Sequence, residues 1–177
     1  MSREWDLYYA GWIIGDGEPD RSVGETFEWF AISFWPPEGG LHLSMDKVKS
    51  AIALHDFVYR VTAEVVWVTG EACVIDFGLK VAGYSDKLPA GCGPGDYITG
   101  GINLEIAHSI PAIVPQGIMS SLAHTWLVKE VYADLTPFRE ISPSYRVRDE
   151  ENIKYEAARS TADIDAHGYV LRCVEIS

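Results

Sequence analysis

Two adjacent runs of the chain, residues 57–69 and 72–81, alternate along their length with the period of two that a strand with one buried face requires. In the first run the odd-numbered positions are apolar up to position 67, and several even-numbered positions are polar or charged. In the second run the odd-numbered positions 73 to 81 are again apolar. The two runs predict an antiparallel hairpin that turns at Gly70 and Glu71.

Charge selects between two registers for this hairpin. One register places Glu64 opposite Asp76, and like charges that face each other across a strand pair are destabilising. The other register places Glu64 opposite Gly78 and leaves Asp76 offset by one pair. We therefore predict the Glu64–Gly78 register.

Further strands are expected at residues 5–14, 25–35, 102–106, 123–135 and 169–176, the last paired with residues 158–164. The apolar parity changes inside 123–135, which predicts a bulge near Lys129 and Glu130. Residues 46–55 carry apolar side chains at helical spacing and predict one short helix. About eight strands with one helix indicate a mainly β chain, an antiparallel β-barrel or sandwich forming a single domain over residues 1–177.

Aromatic residues mark candidate contact positions. The chain has six tryptophans and nine tyrosines, more than a core of this size needs. Both faces of the predicted 25–35 strand are apolar, so we expect a helix, a loop or another chain to cover it, and Trp29 and Trp35 are contact candidates. Trp126, His124 and Tyr97 are further contact candidates.

A glycine-rich connection is predicted at residues 85–101. Its segment 91–97 lacks the lysine and the helix start of a phosphate-binding loop, and its Cys92 has no base assigned to it. Residues 95–104 resemble the strand openings of OB-like barrels. The nucleic-acid binding that this resemblance implies disagrees with the charge of the chain, and the sequence is assigned to no family.

The net charge of the chain limits the classes of partner that it can bind. The 26 acidic and 14 basic side chains give a formal net charge of −12, which repels nucleic acids and anionic membranes. Cys73 and Cys173 lie in strand-like runs, where a buried thiol is the ordinary role. With three cysteines and no apolar stretch of membrane-spanning length, we expect a reducing, cytoplasmic setting.

Local catalytic motifs are absent from the sequence. The five histidines show no metal-binding spacing, so we predict no metal and no cofactor. Glu64 and Asp76 are neighbours on the polar face of the hairpin. If that face lined a cavity, one carboxyl would have a raised pKa and could act as an acid or base, whereas on a solvated face both would be scaffold.

Two functions follow as hypotheses. The first is a non-enzymatic all-β binding protein whose acidic, aromatic-rich surface engages a basic protein, as an immunity-type or accessory factor would. The alternative is a small β-barrel enzyme of the isomerase or cyclase type, or a carrier, that acts on an apolar small molecule. The sequence is compatible with a homo-oligomer. The contact candidates are Trp29, Trp35, Glu64, Asp76, Tyr97, His124 and Trp126.

Overall fold

The computed structural model describes residues 3–29, 32–37, 39–106 and 113–176. Strands make up 54% of the chain and helices 7%, so the predicted mainly β class is confirmed. Two short helices, α1 (Gly11–Gly15) and α2 (Gln116–Met119), and one 3₁₀ turn (Ser85–Lys87) accompany the strands. The strands are β1 (Glu4–Ala10), β2 (Thr26–Trp29), β3 (Ile32–Trp35), β4 (Leu41–Leu43), β5 (Ser50–His55), β6 (Val58–Val68), β7 (Ala72–Asp76), β8 (Lys80–Tyr84), β9 (Tyr97–Ile106), β10 (His124–Asp134), β11 (Phe138–Ser142), β12 (Tyr145–Arg148), β13 (Tyr155–Ala158) and β14 (Gly168–Ile176).

Five strands close into a barrel. Strands β9, β3, β8, β7 and β6 pair in that order, and β6 pairs again with β9. The ring closes because β9 pairs with β6 over residues 97–103 and with β3 over residues 103–106. The barrel is mixed, since β3 and β8 run parallel, whereas the sequence predicts an antiparallel one.

A second group of strands extends the sheet beyond the barrel. Strand β1 touches β9 and pairs along its whole length with β14, which pairs in turn with β10. Strands β2 and β13 share the far edge of β10. The predicted pairing of the last strand with residues 158–164 is therefore wrong, because β1 and β10 occupy both its edges. The predicted bulge is confirmed, as the β10–β14 register shifts between Val128 and Glu130.

The predicted hairpin forms, but its register is wrong. Glu64 lies opposite Asp76, and a bulge between Val65 and Trp67 shifts the rest of the β6–β7 ladder. The second run also ends early, since the chain turns at residues 77–79 and β8 pairs back onto β7. The like charges are tolerated in this register because Lys49, from the segment before β5, binds both carboxylates.

The helix predicted at residues 46–55 is also wrong. Residues Ser50–His55 form strand β5, which pairs antiparallel with β6 through a tight turn at Asp56 and Phe57. Asp56 adopts the left-handed conformation, with φ 46°, that aspartate tolerates better than most residues. Val48 and Ile52 are 70% and 61% exposed, so the helical spacing of apolar residues corresponds to no buried face.

The strand predicted at residues 25–35 is divided into β2 and β3, with residues 30 and 31 outside the described ranges. Strand β2 pairs with β10, while β3 pairs with β9 and β8. In β3, Ile32 and Phe34 are buried and Trp35 is exposed. The side chain of Trp35 is thus available at the surface where β3 ends.

Apolar side chains fill the interior between the strands. The odd-numbered residues of β6 from Tyr59 to Val65 are all buried, as the alternation predicts. The fit is close at Gly83 in β8, where an added Cβ would lie 2.5 Å from the ring of Phe34. A smaller apolar cluster on the outer side of β7 and β8 packs against residues 113–122.

Candidate functional site

The polar face of the β6–β7 hairpin lies outside the barrel, because the alternate residues of β6 form the core. On this face the Nζ of Lys49 lies 2.8 Å from the Oε2 of Glu64 and 3.0 Å from the Oδ2 of Asp76. Burial favours the neutral form of Asp76, but the amide of Gly78 and the ammonium of Lys49 outweigh it and lower the pKa of this carboxyl. Asp76 therefore lacks the raised pKa of a general acid.

Tyr97 belongs to the same row of side chains. It begins β9 and lies opposite Glu64 on the other edge of β6. The structure thus brings together Glu64, Asp76 and Tyr97 on three neighbouring strands. The single ammonium of Lys49 balances one of the two carboxylate charges in this row.

His124 and Trp126 lie together at the start of β10. The ring centroids of the two side chains are 5.7 Å apart, and the Nδ1 of His124 bonds to the carboxylate of Glu175. Trp126 is fully buried, so its indole is part of the core. Trp29 ends β2 opposite His124, and only its backbone is described.

Trp35 is a predicted contact residue whose side chain is open to solvent, with 43% of its surface exposed. The side chain borders a depression of about 410 Å³ at the ends of β3 and β8. We call this feature the Trp35 depression. Its lining consists of Trp35, Gly70, Glu71, Tyr84, Ser85, Asp86, Lys87 and Ile113.

Two turns bring the charged residues of the Trp35 depression together. The β6–β7 turn carries Glu71, and the 3₁₀ turn after β8 carries Asp86 and Lys87. The amide of Ser85 donates to the carbonyl of Glu71 at 3.1 Å, and its hydroxyl donates to the carbonyl of Gly70 at 2.9 Å. These two hydrogen bonds hold one turn against the other.

A cation lies over the indole of Trp35. The Nζ of Lys87 is 4.6 Å from the ring centroid and 3.2 Å from the Oδ2 of Asp86. Tyr84 meets the indole edge to face, with centroids 6.2 Å apart. An aromatic face beside a carboxylate attracts ammonium and guanidinium groups. The described lining contains no histidine or cysteine.

Sequence reasoning missed a second polar region on the outer face of β13, β10, β14 and β1. A groove of about 200 Å³ is lined there by Asp6, Asp56, Tyr132, Tyr155, Val170 and Arg172. Arg172 binds Asp6 through two nitrogens, at 2.9 and 3.2 Å, and Glu130 at 2.7 Å. Carboxylates already hold this guanidinium, which leaves it little capacity for a further anion.

A buried ion pair lies near this groove. The carboxylate of Asp134 is fully buried and accepts a hydrogen bond from the Nε of Arg148 at 3.0 Å. Arg148 also donates to the hydroxyl of Tyr155 at 2.6 Å. These contacts attach the β11–β12 hairpin to the sheet. The groups were not found from sequence because they meet only when β10, β12 and β13 come together.

Glu105 is a mostly buried acid on the same outer face. It lies opposite Tyr8 in the β1–β9 contact, and Ser33 donates a weak hydrogen bond to its carboxyl at 3.4 Å. Burial raises the pKa of Glu105, and the bond from Ser33 only partly opposes this change. The alternating pattern of β9 places Glu105 on the outer face, but the sequence does not reveal which residues surround it.

The cysteines offer no activated thiol. Cys73 and Cys173 are buried and Cys92 is half-buried, and none forms a disulfide. Burial raises the pKa of all three thiols, that of Cys73 to about 12, which disfavours the thiolate. Within the described ranges, no group of three or more His, Cys, Asp or Glu side chains is arranged to hold a metal ion.

Among the residues that the structure describes, no helix has the length and apolar character to cross a membrane.

Comparisons with known proteins give no match for this chain. No protein-family model matches the sequence, and no curated protein or solved structure matches it significantly.

Proposed function

We propose that the chain is a non-enzymatic binding protein that engages a basic partner protein through the Trp35 depression. The observation that carries this proposal is an exposed indole, bordered by Glu71 and Asp86, with an ammonium group already lying over its face. A partner that presents a cationic side chain would meet an aromatic surface and two carboxylates. This is the chemistry expected of an immunity-type or accessory factor for a basic protein.

The charge of the whole molecule supports the same partner. The formal net charge is −12, and a field of this sign raises the rate at which a cationic protein arrives. Many basic side chains are also neutralised within the fold by carboxylates. Those held in this way include Arg21, Lys49, Lys87, Arg148 and Arg172.

The alternative, a β-barrel enzyme or carrier for an apolar molecule, is the less supported proposal. Its motivating acids, Glu64 and Asp76, lie outside the barrel and are bound by Lys49. Buried apolar side chains occupy the barrel interior, where such a molecule would bind. Glu105 is the better acid candidate for this alternative, because burial raises its pKa.

A cytoplasmic location remains a prediction from the sequence.

A charge-matched pair of variants tests the binding proposal. Glu71→Gln removes a carboxylate from the Trp35 depression, and Glu151→Gln removes one from an exposed position near β13. Both lower the net negative charge by the same amount. The probe is a fluorescent oligo-arginine peptide, whose binding is followed by anisotropy at ionic strengths of about 0.01 M and about 0.15 M.

We expect the peptide to bind more weakly at the higher salt concentration, because screening weakens attraction between exposed charges. Glu71→Gln should weaken binding about two- to fivefold, since an exposed ion pair contributes up to about 1 kcal/mol. Glu151→Gln should have a smaller effect. Equal effects of the two variants would show that binding follows overall charge alone, and the Trp35 depression would then not be the site.

A further inference from the structure

Lys87 occupies the place that a partner's cation would take. Its ammonium lies over the exposed indole of Trp35 and beside Asp86. Building on the proposed function, we infer that Lys87 is an internal occupant of the Trp35 depression and that an arginine side chain of the partner displaces it. The partner is thus a protein segment that carries an exposed arginine.

The geometry allows Lys87 to leave without unfolding its turn. The turn is held by its backbone, since Ser85 bonds to Gly70 and Glu71 and the amide of Leu88 donates to the carbonyl of Ser85 at 3.1 Å. The side chain of Lys87 is 28% exposed, and its partner Asp86 is 70% exposed. Rotation about the lysine side-chain bonds therefore exposes the indole face and frees the carboxylate of Asp86 at the same time.

Arginine fits the opened site better than lysine does. A planar guanidinium stacks on an indole and can bind a carboxylate through two parallel hydrogen bonds, whereas an ammonium acts as a point charge. Trp35 supplies the aromatic face, and Asp86 and Glu71 supply carboxylates at the edge of the same depression.

Competition from Lys87 lowers the affinity for the partner by a predictable amount. An exposed contact between a cation and an aromatic ring changes binding by about two- to fivefold. Removing Lys87 should therefore tighten arginine binding by about this factor. Part of any gain comes from charge alone, because a positive group is lost from the protein. The control must remove an equal charge elsewhere.

The experiment compares Lys87→Gln with Lys154→Gln, an exposed lysine next to β13, which lies at one end of the strand order and away from β8. Each variant, the unmodified protein and Trp35→Leu are titrated with fluorescent oligo-arginine and oligo-lysine peptides of equal length. We expect oligo-arginine to bind more tightly than oligo-lysine. Lys87→Gln should strengthen oligo-arginine binding about two- to fivefold beyond Lys154→Gln. Trp35→Leu should abolish the preference for arginine while salt-sensitive binding persists.

The outcomes separate this inference from the proposed function. Equal gains from Lys87→Gln and Lys154→Gln, or equal binding of the two peptides, would overturn the displacement of Lys87 by arginine while leaving a basic partner in place. A Trp35→Leu variant that kept the arginine preference would also overturn the inference. If neither peptide bound any variant at low salt, the proposed function would fail, and this inference with it.

Discussion

Glu64 and Asp76 lie directly opposite each other across the β6–β7 ladder, and the ammonium of Lys49 binds both carboxylates. Two facing carboxylates repel each other, so this register depends on the lysine. We expect Lys49→Met to lower the free energy of unfolding by about 1 kcal/mol at neutral pH. Urea denaturation measures the loss, and Lys47→Met, an exposed lysine two residues earlier, is the control.

The loss caused by Lys49→Met should depend on pH. Because the pKa of Asp76 is lowered in the folded protein, its contribution is present above the ordinary aspartate pKa of about 3.9 and disappears as the pH falls through the folded value. The two proteins should therefore converge in stability at acidic pH. A loss that stayed constant down to the acid limit would contradict the bridging role of Lys49.

Arg148 is expected to contribute more to the free energy of unfolding than its position near the surface suggests. Its removal would leave the fully buried carboxylate of Asp134 without its cation. Arg148→Met should cost about 3–5 kcal/mol, the usual loss when one partner of a buried ion pair is removed. Exposed Arg146 in the same strand provides the control, with Arg146→Met staying within about 0.5 kcal/mol of the unmodified protein. Adding Asp134→Asn to Arg148→Met should recover part of the loss, as measured by thermal unfolding.

Glu105→Gln should stabilise the protein at neutral pH. Because burial raises the pKa of Glu105 in the folded state, the folded protein holds its proton more tightly than the unfolded chain does. The unfolding free energy therefore falls as the pH rises from about 4.3 through the folded value. The unfolding free energy of the variant should not show this fall, and at lower pH it should be similar to that of the unmodified protein. Denaturation across this pH range measures the effect, with Glu4→Gln, at the exposed first residue of β1, as the control.

The close contact of Gly83 with Phe34 predicts that the barrel does not accept one more methyl group. An added Cβ would lie 2.5 Å from the buried phenyl ring, so Gly83→Ala should cost about 1–3 kcal/mol through overpacking. Gly70→Ala, where no atom lies within 4 Å of the added Cβ, should cost less. In a Phe34→Leu background, the penalty of Gly83→Ala should shrink, and a penalty of unchanged size would place the strain elsewhere.

Sequence periodicity predicted those parts of the fold that depend on one strand at a time. The buried alternation of β6 and the bulge in β10 are visible in the order of apolar residues, and both are observed. The register of β6 on β7 was beyond this reasoning, since it depends on Lys49 from a separate segment. Strand β5 was mistaken for a helix because its exposed apolar residues happen to follow helical spacing.

The candidate site was also predictable only in part, because it combines residues from separate segments of the chain. The apolar pattern of residues 25–35 predicted a strand covered on both faces and made Trp35 a contact candidate, but the charged residues around its side chain lie on two distant turns. Glu71 and Lys87 come together at Trp35 because Ser85 joins those turns. The polar groove near Arg172 also joins several strands. Alternation places Asp6 and Arg172 on outer faces, and only the β1–β14 pairing makes them neighbours.

Strand β14 has a consequence for how the chain acquires its structure. It lies between β1 and β10, and the ladder joins Glu4 to Val174. Until residues 168–176 leave the ribosome, the inner edges of β1 and β10 have no partner, and unpaired edges promote aggregation. Pairing of residues so distant in sequence also slows folding. The extended sheet must therefore form after residues 168–176 have been synthesised, and chaperone protection would matter most before then.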